Sequence, residues 1–319
     1  MQRCAGFTQR LEWEMDFSTY GLPSEEWLNF ISSYNLSETF PPQQTRGAIL
    51  HLKQAVNRTR ERTALNQLQE SGLADKVVWK DFQVRTSNNF SIMVRKYVAK
   101  DLAPNKLPAY IHLHGGGYLF GSLSSEQYFC SVLANASKSA VLHICYRHTP
   151  EDKFPAQHDD AWAGYSWIMT NVDMLRLDVD RVVVGGISAG AALAAGVVYR
   201  ELGIMRKAKR RSRIASAVLS MPFMMHPECF PFEQFTSALK ASPLQCQDAP
   251  ILSKKWIDFF ISALGPANAA DTLLNIPLAP DETLAGWPPT AFVVCGMDPV
   301  RDEALYFAQK LHQLGFVHD

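Results

Sequence analysis

The apolar positions of this chain form short runs that alternate with helical segments over most of its length. The runs are rich in β-branched and aromatic residues and are bounded by glycine, proline and polar clusters, as is typical of strands. They cover 77–84, 90–98, 109–112, 140–145, 181–184, 214–220 and 290–295. Helical segments separate the later runs, which predicts a mostly parallel sheet flanked by helices. The first two runs lack such a helix and predict an antiparallel edge, so the fold class is α/β.

Two segments interrupt this alternation. Residues 1–75 have a helical pattern, and residues 221–287 combine several prolines with many aromatic residues. We interpret both as helical lid segments that close over a site, with ordinary helical packing as the alternative for the second. The α/β core then comprises residues 76–220 and 288–319.

Composition narrows the possible partners. The 319 residues are 47% hydrophobic and 19% charged, with a formal net charge of zero, which gives no overall attraction to nucleic acid or to an anionic membrane. No apolar run is long enough to span a bilayer. Acidic residues interrupt the first twenty positions, which argues against a secretory signal. The six cysteines show no metal-ligand or pairing spacing, and Cys145 and Cys295 fall in apolar runs where thiols are commonly buried. We therefore expect reduced thiols and a cytoplasmic protein.

The strongest chemical signal is a serine flanked by small residues between a predicted strand and a predicted helix. Gly186-Ile187-Ser188-Ala189-Gly190 follows the run 181–184 directly. A serine on such a sharp turn has its hydroxyl exposed as a nucleophile, and Gly186 and Gly190 allow neighbouring backbone to approach closely. Tight helix packing is the alternative reading of these small residues. The strand-to-helix context favours the nucleophile.

A second signal lies upstream, where His114-Gly115-Gly116-Gly117 follows the run that ends near Leu113. Acyl transfer builds negative charge on a carbonyl oxygen, and amides of a glycine loop can stabilise that charge. We predict an oxyanion hole formed by the N–H groups of Gly115, Gly116 and Ala189, with His114 and Gly117 supporting the loop. A flexible glycine turn without a ligand is the alternative.

The third signal is Asp298, in the loop after the run 290–295. An acid at this place can orient a histidine and stabilise its imidazolium form. Asp302 and Glu303 follow at the start of the next predicted helix, where carboxylates favour the positive end of the helix dipole, and we interpret them as structural.

Taken together, these residues resemble the hormone-sensitive-lipase branch of the α/β-hydrolases, a family of serine carboxylesterases. The resemblance covers the core from about Val77 onward. It rests on five motifs, at 114–117, 146–156, 159–161, 186–190 and 298–303. It implies an α/β-hydrolase fold in which serine, acid and histidine follow in that order along the chain.

The family pattern continues after the acid with another strand, a histidine loop and a closing helix. The sequence ends at Asp319, so we expect the last strand and helix to be missing. His318 is a weak candidate for the general base, because it lies where Gly315 to Val317 would open that strand. A terminal surface histidine is the alternative, and each remaining histidine has an ordinary strand, loop or lid interpretation.

We therefore predict serine-dependent hydrolysis of a carboxylic ester through an acyl-enzyme, with Ser188 and Asp298 as catalytic residues. The substrate is a small to medium acyl or aromatic ester, and by analogy with related fungal esterases a natural-product intermediate of secondary metabolism. The chemistry requires no metal and no cofactor. Two alternatives on the same fold are a receptor-like protein that binds a small molecule without catalysis and a truncated inactive member.

Overall fold

The computed structural model describes residues 14–34, 36, 40–86, 89–102 and 106–316. Within them the strands are β1 (Val77–Arg85), β2 (Ser91–Ala99), β3 (Leu107–Leu113), β4 (Ala140–Cys145), β5 (Leu177–Ile187), β6 (Ser216–Ser220) and β7 (Thr290–Val293). Each strand coincides with or overlaps one of the apolar runs, which confirms that the runs are strands.

The sheet has the strand order β1-β2-β4-β3-β5-β6-β7. β2 is antiparallel to both of its neighbours, β1 and β4. From β4 to β7 all neighbouring strands are parallel. The predicted α/β fold with an antiparallel edge is thus confirmed. Since the carboxyl ends of parallel strands share one edge of a sheet, the loops after β3, β5 and β7 lie on the same side.

Helices cover both faces of this sheet. The α-helices in the described part of the chain are α1 (Glu25–Ser33), α2 (Arg46–Glu70), α3 (Gln127–Ser137), α4 (Ala156–Thr170), α5 (Ala189–Ala208), α6 (Ser242–Gln245), α7 (Lys254–Leu264), α8 (Asp281–Leu284) and α9 (Arg301–Gln313). Single turns of 3-10 helix lie at Ser18–Gly21, Leu73–Asp75, Pro227–Cys229, Phe232–Gln234, Ala238–Lys240, Thr272–Leu274 and Ile276–Leu278. Ile111, Leu142 and Val184 in the central strands are fully buried, because helices lie on both sides of them.

The two segments predicted as lids meet above the loop that follows β3. Ile49 of α2 belongs to one buried cluster with Phe120 of that loop and with Phe259 and Phe260 of α7. A side chain added at Gly117 would overlap the ring of Phe260. This contact places parts of both segments over the glycine loop, while their opening and closing stay a prediction.

β7 is the last strand of the sheet within the described ranges. Its Val293 side chain is 50% exposed, because no described strand flanks β7 on its far side. Cys295 is exposed as well, so the expectation that this thiol is buried is wrong. The absence of a further strand and helix from the protein stays a prediction.

The cysteines depart from expectation at one more position. Cys130, Cys145, Cys246 and Cys295 are free thiols. Cys229 takes part in a disulfide bond, so the expectation of reduced thiols is wrong for this residue.

None of the helices in the described ranges has both the length and the apolar character needed to cross a bilayer.

Candidate active site

Ser188 lies in a strained turn between β5 and α5. Its backbone has φ 54° and ψ −119°, a conformation that costs a residue with a Cβ on the order of 1–3 kcal/mol. The turn is held by its neighbours, since Ser188 N donates to Ser220 O at 2.8 Å and Phe223 N donates to Ser188 O at 3.3 Å. The side chain is half-buried, and its hydroxyl forms no hydrogen bond with any described group. The predicted nucleophile is therefore placed on a sharp strand-to-helix turn.

The glycines around Ser188 allow this turn to pack against β3. A Cβ at Gly190 would overlap the carbonyl oxygens of Leu113 and His114. A Cβ at Gly186 would overlap the backbone of Gly190. Both positions therefore require glycine for close approach, as the motif predicts.

We expect Gly190→Ala to lower the free energy of unfolding by about 1–3 kcal/mol, because the added methyl group must displace backbone. Gly203→Ala is the matched control. It lies in the same helix, α5, and its Cβ would have no heavy atom within 4 Å, so alanine should stabilise the helix by up to about 1 kcal/mol. Urea unfolding of both variants measures the difference. Equal effects would contradict the close packing of the turn.

The predicted oxyanion loop lies against the serine turn. Gly116 and Gly117 have φ values of 132° and 61°, so the chain reverses in a conformation that favours glycine. A Cβ at Gly115 would lie 2.8 Å from Ile187 O, which brings the loop next to the residue before Ser188. The amides of Gly115, Gly116 and Ala189 donate to no group among the described residues. All three are thus free to bind an oxyanion.

Helix α2 binds this loop and the loop after β4 through four polar side chains that sequence reasoning missed. Asn57 Oδ1 accepts from Gly121 N at 2.9 Å, and Glu61 accepts from Ser122 Oγ at 2.6 Å. Arg60 donates to Gly115 O at 3.4 Å and to Glu126 at 2.7 Å. Lys53 donates to Thr149 O and to Glu151. Their spacing along α2 places them on one face, a polar stripe that the sequence contains but that apolar periodicity does not reveal.

Asp298 occupies the loop after β7. Burial raises the pKa of its carboxyl to about 6 from an ordinary value of 3.8, although the hydrogen bond from Val300 N and the charge of Arg301 oppose this. The Val300 bond is 3.0 Å long. Two strand-end contacts connect this region to Ser188: Ser188 N bonds Ser220 O, and Met221 N bonds Val293 O. The carboxyl ends of β5, β6 and β7 thus bring the predicted nucleophile and the predicted acid to one edge.

No histidine in the described part of the chain forms a hydrogen bond with Ser188 or Asp298. His114 is fully buried and its ring nitrogens bond His143 and His148. His226 lies in the segment after β6, and His318 lies outside the described residues. The general base therefore stays a prediction.

Asp302 and Glu303 begin α9 as predicted, but their partners are more specific than a helix dipole. Asp302 accepts from Ser242 N at 2.7 Å and from Arg301 Nε at 2.6 Å. Glu303 accepts from Met224 N and Met225 N at 2.5 and 2.8 Å. These two buried acids fix the segment after β6 to the loop that carries Asp298.

A cavity of about 690 Å³ opens between that segment and α7. Its floor includes Pro299 and Val300, directly after Asp298, and its walls include Phe230, Phe232 and Ile261. Polar and charged side chains line the cavity as well: His226, Glu228, Lys254, Asp258, Ser262 and Glu303. Because His226 Nδ1 accepts from Glu228 N at 3.3 Å, its proton is on Nε2. The cavity can hold an apolar group that carries a hydrogen-bond acceptor.

Among the described residues, no cluster of three or more His, Cys, Asp or Glu side chains is arranged to hold a metal ion.

Known proteins resemble this chain in sequence. A family model described as the alpha/beta hydrolase fold matches residues 110–317. The versiconal hemiacetal acetate esterase of Dothistroma septosporum is 30% identical over 210 residues, 66% of this chain and 62% of that protein. The carboxylesterase NlhH of Mycobacterium tuberculosis is 30% identical over 227 residues, 70% of this chain and 66% of that protein. The chain thus matches a little under two thirds of these relatives' length.

Solved structures share the fold. An esterase of Pyrobaculum calidifontis superposes with a TM-score of 0.69 at 26% identity, covering 83% of this chain and 81% of that one. Vibralactone cyclase superposes with a TM-score of 0.80 at 24% identity, covering 91% of this chain and 83% of that one, a likeness of fold alone.

Proposed function

This chain belongs to the hormone-sensitive-lipase-like family of the α/β-hydrolase fold, and on that premise we propose that it hydrolyses carboxylic esters with Ser188 as the nucleophile. The observation that carries the proposal is the strained, half-buried serine beside three unbonded amides. Strain of this kind persists where the surrounding structure holds it in place, and it clusters at functional sites. The relatives are esterases, so the non-catalytic alternatives are not favoured.

The chemistry follows from these positions. The Ser188 oxygen attacks the ester carbonyl carbon, and the N–H groups of Gly115, Gly116 and Ala189 stabilise the negative charge that develops on the carbonyl oxygen. A histidine takes the serine proton and passes it to the departing alcohol, while Asp298 orients that histidine. Water then attacks the acyl-enzyme, which releases the carboxylic acid and restores the serine.

Fluorophosphonate labelling tests the nucleophile even while the natural substrate is unidentified. The Ser188 oxygen should displace fluoride from phosphorus, and mass spectrometry should find one adduct on the peptide that carries Ser188. Ser166→Ala is the control and should label like the wild type, since Ser166 lies on α4 away from the turn. No adduct, or an adduct on another serine, would reject Ser188 as the nucleophile. Once Ser188 is labelled, turnover in the variant His318→Ala shows whether that histidine is the base.

We propose that the cavity beside α7, whose lining includes Pro299 and Val300 next to Asp298, takes a medium-sized apolar or aromatic acyl group. We expect Ile261→Trp to fill part of it and to lower kcat/KM for p-nitrophenyl octanoate about tenfold, because buried methylene groups each contribute about 0.8 kcal/mol. Turnover of the acetate should change less than about twofold, since the short chain does not reach the filled space. Ile204→Trp, on the exposed side of α5, is the control. An equal loss for both esters would exclude this cavity as the acyl site.

A further inference from the structure

Three imidazole rings form a hydrogen-bonded chain behind the glycine loop. His114 Nδ1 lies 2.8 Å from His143 Nε2, and His114 Nε2 lies 2.8 Å from His148 Nε2. The ring of His114 also stacks on Tyr146, with centroids 4.4 Å apart and planes at 10°. The hydroxyl of Tyr146 donates to His114 O at 2.7 Å. Both ring nitrogens, one ring face and the backbone oxygen of His114 are therefore engaged.

The sheet brings these rings together. β3 and β4 are parallel with His112 beside His143, and His114 follows His112 on the same side of β3 because side chains alternate along a strand. His148 comes from the loop after β4. His112 lies 3.5 Å from Glu126, the carboxylate that also binds Arg60 of α2 at 2.7 Å. The rings thus lie between the sheet and α2, the helix that covers the glycine loop.

Burial keeps the imidazole rings of His114, His143 and His148 neutral. It is the main reason that the pKa of His143 and of His148 is lowered to about 3; Arg95 near His143, and Lys53 and Arg60 near His148, act in the same direction, whereas Glu126 opposes the shift at His143. Burial also lowers the pKa of His114 well below its usual range. A neutral imidazole has one N–H group and one lone pair. His114 must therefore donate to one neighbour and accept from the other, so removal of either neighbour leaves a buried nitrogen of His114 without a partner.

We propose that His143 and His148 are positioning residues, which lock the ring of His114 and thereby hold Gly115 and Gly116 in place for the oxyanion. His114 is continuous with the loop, since it immediately precedes Gly115. A ring bound at both nitrogens cannot rotate, and a Cβ at Gly121 would overlap this ring, so the far end of the loop packs on it too. The catalytic part of this inference rests on the proposed ester hydrolysis. The structural part does not.

His148→Leu tests the proposal through kinetics. We expect kcat for p-nitrophenyl butyrate to fall about tenfold with KM within about twofold, because a displaced amide weakens an interaction made in the transition state. His148→Gln should recover kcat to within about threefold, since its amide can donate or accept. His158→Leu is the matched control, a buried imidazole on α4 outside the chain of rings. A similar loss in His158→Leu, or no recovery by glutamine, would overturn the proposal.

A second measurement separates this proposal from the proposed function. Hydrogen exchange of the peptide spanning residues 114–122 should be about tenfold faster in His148→Leu than in the wild type, and unchanged in Tyr165→Phe, a buried ring on α4 that packs on Trp162. Faster exchange without ester turnover in the wild type would support the positioning role and reject the hydrolase. Unchanged exchange in His148→Leu would reject the positioning role, whatever the turnover.

Discussion

Ser188→Ala should lower kcat/KM for p-nitrophenyl butyrate by at least about a thousandfold, because the covalent route through the acyl-enzyme is then closed. The remaining rate should still exceed that of the uncatalysed reaction, since the amides of Gly115, Gly116 and Ala189 can still stabilise an oxyanion. Stopped assays with purified protein measure both rates. Turnover that is unchanged in Ser188→Ala would reject the nucleophile.

Comparison with Ser188→Gly separates the loss of the hydroxyl from the strain in the turn. Alanine retains a Cβ at φ 54°, so Ser188→Ala should keep nearly all of the strain. Glycine adopts positive φ freely, and Ser188→Gly should be more stable than Ser188→Ala by about 1 kcal/mol after its greater chain entropy is included. Both variants should be equally inactive. Equal unfolding midpoints would contradict a strained nucleophile turn.

Local sequence was sufficient to predict the turn that carries Ser188 and the glycine loop. The strand before Ser188, the flanking glycines and the helix after it are all set within a few residues, and each element is of the expected type. The pairing of β3 with β5 then brings the two motifs together. The alternation of strands and helices predicted that the strands are mostly parallel, but not which strands are neighbours.

The buried polar contacts that the sequence did not reveal depend on how the strands pair and the helices pack. His112 and His143 were interpreted individually as ordinary strand or loop residues, and His114 only as a support of the glycine loop, because the contact between β3 and β4 that joins them is not encoded by spacing along the chain. The partner of Arg60 is likewise 66 positions away. Buried polar networks of this kind depend on side chains from several elements, and no single segment carries their signal.

The raised pKa of Asp298 is a further consequence of packing that sequence does not contain. The acidic loop was predicted from its position after β7 and from the family motif. Asp302 and Glu303 hold the segment after β6 against this loop, and Asp298 is largely buried there. A solvent-exposed aspartate in the same turn would have an ordinary pKa.

Asp298→Asn should make the protein more stable and less active at pH 8. In the folded state the pKa of Asp298 is about 6, above its ordinary value of 3.8, so the folded protein binds this proton more tightly than the unfolded chain. The free energy of unfolding of the wild type should therefore fall as pH rises from about 4 to about 6, by about 2–3 kcal/mol. Asparagine carries no charge to desolvate, and the variant should lack this part of the pH dependence.

Urea unfolding at pH 4 and at pH 8 measures this difference, with the exposed Asp248→Asn as the control. At pH 4 the wild type and Asp298→Asn should be about equally stable, and at pH 8 the variant should exceed the wild type. Ester turnover should fall about a thousandfold or more, because asparagine cannot stabilise the imidazolium form of the base. A residue whose charged form destabilises the fold yet sustains the reaction serves function rather than stability. If Asp298→Asn instead destabilised the protein at pH 8 and left turnover unchanged, Asp298 would be a structural acid, and the base would work without it.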